Sequence, residues 1–188
     1  MGRRAKHTKT DWTLAAFETL GAEGIDGVKV ERIAKTLGAT KGSFYWHFAD
    51  RPALLAHMLD FWETEGTHNI IEQLQEAELP AAEKLKQLAR VSSEAQTHGL
   101  DSIAVEGALR AWAGQDPMAA EKLKSTEAVR ISYLEQLLLD IGHEQNAAET
   151  YARQLYLMLL GLYSISRHNP DPQNRDLFIA FADQLAQA

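Results

Sequence analysis

The segment Val28–Leu55, VKVERIAKTLGATKGSFYWHFADRPALL, limits what this chain can fold into more than any other part of it. Val30, Ile33, Ala34 and Leu37 stand at i, i+3, i+4 and i+7, the apolar stripe of a short helix. Gly38 follows at once, and glycine takes the left-handed conformation that ends a helix more cheaply than other residues. Thr40 is placed to cap a second helix, in which Phe44 and Phe48, four apart, turn back to the same core. Thr40, Lys41, Ser43, Tyr45, Trp46 and His47 are then left outward. They make a hydrogen-bonding, partly cationic face on a helix narrow enough for a DNA major groove. The alternative is a helical pair that serves only packing.

The run I-A-x-x-x-G-A-T-K-G-S-F-Y-W-H-F closely resembles the DNA-binding signature of the tetracycline-repressor (TetR) family of bacterial transcriptional regulators. The resemblance covers Leu14 to Leu59, under a third of the chain; the remainder is similar only in being helical and of suitable length. It implies that Thr40, Lys41, Ser43 and Trp46 lie closest to base edges, with Gly42 allowing close approach. It also implies that Tyr45, His47 and Arg51 hold the DNA backbone. A lysine at Lys41 can donate to guanine O6 or N7, and backbone contacts position the reader without specifying sequence. Lys29 departs from the pattern, because many relatives carry a capping threonine or serine there. A lysine cannot accept the capping bond, although it can reach a phosphate.

Composition places few limits on function but agrees with this reading. Of 188 residues, 45% are hydrophobic and 24% charged, as in a globular chain. There is no cysteine, which excludes disulfides, thiolate metal sites and a thiol nucleophile, and suits a reducing cytoplasm. No signal peptide is apparent at the start, and the apolar stretch near Tyr156–Ile165 is shorter than the roughly 20 residues of a membrane span. A soluble, cytoplasmic protein without membrane association is expected. The net charge of −7 is unevenly placed. Residues 1–51 hold nine Lys/Arg against six Asp/Glu, whereas residues 52–188 hold ten against twenty. Phosphate affinity depends on local cations and not on the total.

An all-α chain of about nine helices is expected, with residues 1–51 as the helix-turn-helix domain and 52–188 as a helical effector-binding and dimerisation domain. No alternation is long enough to predict a strand. Helix starts are expected at Thr8 or Thr10, after Asp50 with Pro52 in the first turn, at Asp101, and at Asp116-Pro117. The helix after Pro52 is expected to run to about Glu78, the next from Ala81 to Thr97, and the last from Arg175 to Ala186 with Leu177, Phe178, Phe181 and Leu185 inward. Glu144–Arg167 becomes apolar nearly all round from Leu155 to Ile165, so more than one of its faces must be covered.

Three further sets of residues carry functional expectations. The basic arm with Arg3 and Arg4 can follow a minor groove, or be a solvated tail. Tyr156, Leu159, Leu160, Tyr163, Phe178 and Phe181 are candidates for a homodimer interface, which the resemblance places on the last two helices, or for the monomer core. A single recognition helix is small, so a dimer reading two half-sites of a palindromic double-stranded operator is expected. The resemblance further implies an unidentified small-molecule effector. Trp62, Trp112, Met118, Tyr133 and Met158 are candidate walls, and His68, His98, Glu106 and Arg110 candidate polar groups, though aromatics at helical spacing also simply fill cores.

Enzymatic marks are missing. A di-iron carboxylate site needs two Glu-x-x-His pairs, and only Glu65–His68 occurs. There is no His-Glu-x-x-His, no Gly-x-Ser-x-Gly and no phosphate-binding or dinucleotide loop. Neither a metal nor a cofactor is expected, and the chain is read not as an enzyme but, as the resemblance implies, as a ligand-released repressor.

Overall fold

A computed structural model describes residues 7–187, so the expectation for Arg3 and Arg4 lies outside the described residues. The described residues are all-α apart from one hairpin of two-residue strands. Helix α1 spans Lys9–Glu23, α2 Val30–Thr36, α3 Lys41–Phe44 and α4 Arg51–Glu63. A π-helical turn, Thr64–His68, leads without a break into α5, Asn69–Glu76. Then follow α6 (Ala81–Ser92), β1 (Gln96–Thr97), β2 (Leu100–Asp101), α7 (Ser102–Ala113), α8 (Pro117–Ile141), α9 (Gln145–Ser166) and α10 (Pro172–Leu185). With α4, the π turn and α5 taken as one run, the described residues form nine α-helical runs, besides a 3-10 turn at Ile25–Gly27.

The helix starts follow the capping residues. Thr8 and Asp11 form a reciprocal capping box on α1, with Asp11 N to Thr8 Oγ1 at 3.1 Å and Thr8 N to Asp11 Oδ2 at 2.7 Å. Asp50 accepts from Ala53 N at 2.8 Å, Asp101 from Ala104 N at 2.9 Å, and Asp116 from Met118 N at 2.9 Å. Each carboxylate satisfies an N–H that a first helical turn leaves unpaired.

Four expectations on the helical body need correction. The long helix does not run to Glu78; it loosens into the π turn and ends at Glu76. Thr64, Gly66 and Thr67 are weak helix formers, and Arg130 stabilises the loosened turn from α8. Its Nε donates to Thr67 Oγ1 at 2.9 Å and its Nη2 to the Gly66 carbonyl at 3.4 Å. Helix α6 stops at Ser92 and not at Thr97, because side chains from α9 and α10 take its last carbonyls. The Tyr163 hydroxyl donates to the Ser92 carbonyl, and Arg175 donates to the Ser93 carbonyl at 3.2 Å and the Arg90 carbonyl at 3.3 Å. A hairpin stands where no strand was expected, pairing Gln96 with Asp101 and Thr97 with Leu100. Its two-residue turn, His98-Gly99, has φ of 52° and 74°, the sign that primed hairpin turns require. Finally, Leu177 points outward and is 65% exposed. Phe178, Ala182 and Leu185 share the buried face of α10, and Leu177 lies about 100° around the helix from Phe178.

The chain divides into two compact units that are not consecutive in sequence. One comprises residues up to Glu63 together with Gln96–Lys122; the other comprises Thr64–Ala95 and residues from Leu123 onward. In the first, α1 packs on α2, α4 and α7, and Trp12, Phe17, Leu20, Ile33, Phe44, Leu54 and Met58 are buried. In the second, Leu85 and Ala89 of α6 join Leu137 and Leu138 of α8, Leu155 and Leu159 of α9, and Phe178 and Leu185 of α10 in one apolar cluster. No helix among the described residues is long and apolar enough to cross a membrane.

Candidate nucleic-acid interface

The reading segment is set by one tight turn and two aromatic anchors. Leu37 ends α2, and Gly38 turns the chain at φ 59°, where a side chain would be strained. Thr40 opens α3 by accepting from Ser43 N at 3.3 Å, while the Ser43 hydroxyl donates to the Thr40 carbonyl at 2.6 Å. Regular α-helix ends at Phe44, but the turn continues through bonds from His47 N and Phe48 N to the Phe44 carbonyl, at 2.9 and 3.1 Å. Phe44 meets the Trp12 ring edge-on at 5.5 Å and stacks on Phe48 at 5.4 Å. Both phenylalanines are buried, so they fix the roll of the helix and aim its other side at solvent.

On that outer side stand Thr40, Lys41, Tyr45 and Trp46, all exposed, with Ser43 and His47 half-buried. Trp46 is 82% exposed and therefore packs little against its own chain. Gly42 is also exposed, and a Cβ there would meet nothing nearer than Thr40 Oγ1 at 3.7 Å. The fold does not demand a glycine at this position. Lys29 precedes α2 in extended conformation and makes no capping bond, as its side-chain chemistry requires.

Three charged or titratable residues have internal partners that the sequence did not reveal. Lys41 Nζ forms an ion pair with Glu31 of α2. The bond from Lys41 holds the Glu31 carboxyl below the usual carboxylate range, and the same bond to Glu31 raises the Lys41 ammonium. His47 Nε2 donates to the His7 carbonyl at 2.9 Å, where the basic arm joins the domain. Arg51, expected to hold the DNA backbone, is turned inward. Its Nε donates to the Val28 carbonyl at 2.6 Å and its Nη2 to the Ile25 carbonyl at 2.8 Å. Glu31 is ten residues from Lys41 and in another helix, so no single-helix periodicity could have paired them.

Lys9 and His57 flank the same anchors. Lys9 Nζ lies 5.2 Å above the Phe48 ring, in cation–π range. His57 stands 5.5 Å from Phe48, and burial pushes its imidazolium form down, with Lys9 adding to the effect.

The effector candidates fall in both units. In the first, Trp62 and Trp112 are buried, Trp62 Nε1 donates to Glu106 Oε2 at 3.0 Å, and Arg110 Nη2 pairs with Glu106 Oε1 at 2.9 Å. His98 and Met118 are exposed there. In the second, Tyr133 is half-buried, and burial raises its phenol above the ordinary value; His68 and Met158 are exposed. Among the described residues, no group of three or more His, Asp or Glu side chains gathers as a metal ion would need.

The dimer candidates divide as well. Tyr156, Leu159 and Phe178 are buried within the single chain, and Tyr163 is bonded to the end of α6, while Leu160 and Phe181 are half-buried. The exposed large apolar residues of α9 and α10 are Leu157, Met158, Ile165 and Leu177.

A glycine-turned helix pair, braced by α1 and presenting a polar helix to solvent, defines an all-α protein of the helix-turn-helix class. Residues 13–58 match the family of bacterial regulatory proteins, tetR family. Over this segment, under a third of its length, the chain is similar to the TetR family. It is similar to the tetracycline repressor protein class A from transposon 1721 of Escherichia coli, with 33% identity over 57 residues. That match covers 30% of this chain and spans 26% of the repressor, about a quarter of its length. The fold is shared much more widely. A TetR transcriptional regulator from Legionella pneumophila superposes with a TM-score of 0.81 at 16% identity, covering 97% of this chain and 98% of that one. A transcriptional regulator from Saccharomonospora viridis, solved in complex with choline, superposes at 0.78 with 15% identity and 95% of both chains covered. The matched family is one of regulatory proteins.

Proposed function

We propose that this chain is a DNA-binding transcriptional regulator that acts as a homodimer on a palindromic operator and is released by a small-molecule effector. The observation that carries the reading is the outer side of α3. Buried Phe44 and Phe48 fix that helix, while Thr40, Lys41, Tyr45 and Trp46 lie exposed on its outer side. Thr40, Lys41, Ser43 and Trp46 then face base edges across the unhindered Gly42, and Lys29, Tyr45 and His47 lie toward phosphates. Arg51 supports the reader from behind. Residues 1–51 constitute the reader and residues 52–188 the effector and dimer body.

Dimerisation is supported by an apolar line on α9. Leu157 and Ile165 are exposed, Gly161 lies between them, and a Cβ on Gly161 would meet nothing within 4 Å. Leu177 on the neighbouring α10 is exposed too. Tyr156, Leu159 and Phe178 back this surface from the core, and half-buried Leu160, Tyr163 and Phe181 lie at its margin. The effector belongs to a neutral or cationic class, since residues 52–188 are acidic and a similarly folded regulator was solved with choline. An effector of this kind must bind one arrangement of the readers more tightly than another to release DNA.

Selection of duplexes from a random DNA pool by the purified protein, at near-physiological salt, tests the reading. Enrichment of an inverted repeat, with half-sites about one helical turn apart, is the expected result. Weak binding that depends on salt alone, with no sequence enriched, would overturn it.

A further inference from the structure

The ion pair between Glu31 and Lys41 is unusual for a DNA-reading face. Cations on such a face ordinarily meet phosphates or bases, and a carboxylate beside them opposes both encounters. Here Glu31, in the first turn of α2, reaches across the Gly38 turn to the first residue of α3. Both side chains are open to solvent, 63% exposed for Glu31 and 54% for Lys41, so burial does not force them together. Lys29 is the other cation that acts on the Glu31 carboxylate. Packing does not account for the acid, although its place in the first turn of α2 also suits the helix N-terminus.

We propose that Glu31 is a positioning residue for sequence readout, holding the Lys41 ammonium toward one base edge and withholding it from indiscriminate phosphate contact. The inference rests on the DNA-reading function proposed above. An ammonium has three donors, and one bond to Glu31 leaves two for guanine O6 and N7. A correct base can therefore be read while the pair persists. On an unrelated duplex, Lys41 must leave Glu31 to reach a phosphate, and the bare carboxylate then repels the backbone. Glu31 thus lowers non-specific binding more than operator binding, and the ratio between the two rises.

The test compares the wild type with Glu31→Gln, Lys41→Gln and the double variant. Each is titrated with the selected operator and with a scrambled duplex of equal length, at several salt concentrations. Glu31→Gln is expected to tighten scrambled-duplex binding by about threefold to fivefold, the scale of an exposed ion pair, and to leave operator binding unchanged or weaker. The specificity ratio then falls by at least that factor. In the Lys41→Gln background the same change is expected to leave the ratio unaltered, because nothing remains to be positioned. Equal tightening on both duplexes, with or without Lys41, would reduce Glu31 to a repulsive surface charge and overturn the inference. No effect on either duplex would overturn it as well. A wild type that prefers no sequence would instead overturn the parent reading, and this one with it.

Discussion

Arg51 donates to the Val28 carbonyl at 2.6 Å, and its second bond to Ile25 makes the start of α4 a brace for the loop that enters α2. Two carbonyls are thereby paired by one planar group. Arg51→Ala is expected to lower the unfolding free energy by about 1–3 kcal/mol, the scale for losing hydrogen bonds from a charged donor. Arg51→Lys restores only part of this, because an ammonium cannot reproduce the fork. Urea unfolding at neutral pH reads both changes. Unaltered stability together with weaker DNA binding would make Arg51 a phosphate contact after all.

Trp62 and Glu106, distant in sequence, meet inside the first compact unit. Trp62→Phe keeps most of the ring volume but removes the donor to a buried carboxylate. A loss of about 1–3 kcal/mol is expected, and Glu106→Gln, which retains an acceptor, should lose less than Glu106→Ala. Thermal unfolding followed by circular dichroism gives the order. An Ala variant as stable as the Gln variant would contradict the geometry.

Gly42 separates folding from recognition. Its Cβ position is open, so Gly42→Ala should leave stability unchanged or raise it by up to about 1 kcal/mol, as an alanine in a helix does. Operator affinity is expected to fall by roughly tenfold as the added methyl group keeps the helix from the groove. Full operator affinity in this variant would remove the close-approach argument.

Acid weakens the helix starts in a defined direction. The Thr8 backbone N–H bond holds Asp11 below its ordinary value of 3.8, and the Ala119 backbone N–H bond does the same for Asp116. The unfolded chain, with the higher carboxyl values, therefore binds more protons in this range. Stability from both caps is complete above the unfolded value and declines as pH falls through the folded ones. Urea midpoints measured from about pH 5 to about pH 3 should drop less steeply in the Asp11→Asn, Asp116→Asn double variant than in the wild type. Parallel profiles would show that these two carboxylates do not contribute.

Leu157 and Leu177, 66% and 65% exposed, can be altered without disturbing the core. Leu157→Asp with Leu177→Asp should preserve the helical circular dichroism spectrum while halving the solution mass seen by light scattering. Operator affinity should fall with it, since two half-sites are no longer read together. A dimer that survives both charges would place the interface elsewhere on the chain.

Much of the reading segment was legible because its determinants are local. The Val30–Ile33–Ala34 stripe, the Gly38 turn, the Thr40 cap and the inward Phe44 and Phe48 each depend on residues within a few positions. The aspartate caps were legible for the same reason. The His98-Gly99 hairpin was not, because its turn lacks the Asn-Gly or Asp-Gly pair that usually announces a primed turn. The π turn was hidden too, since it depends on Arg130, which lies 63 positions beyond Thr67.

The sequence by itself determined the all-α class, the helix starts and the exposed polar face of α3, because caps, glycine turns and 3.6-residue periodicity act over one or two helical turns. Tertiary structure alone decided that Lys41 answers to Glu31, that Arg51 braces a loop, that Trp62 meets Glu106 and that Leu177 faces out. Each of these depends on which helix faces are brought together, and packing across the chain sets that, with no trace in the spacing of residues along it.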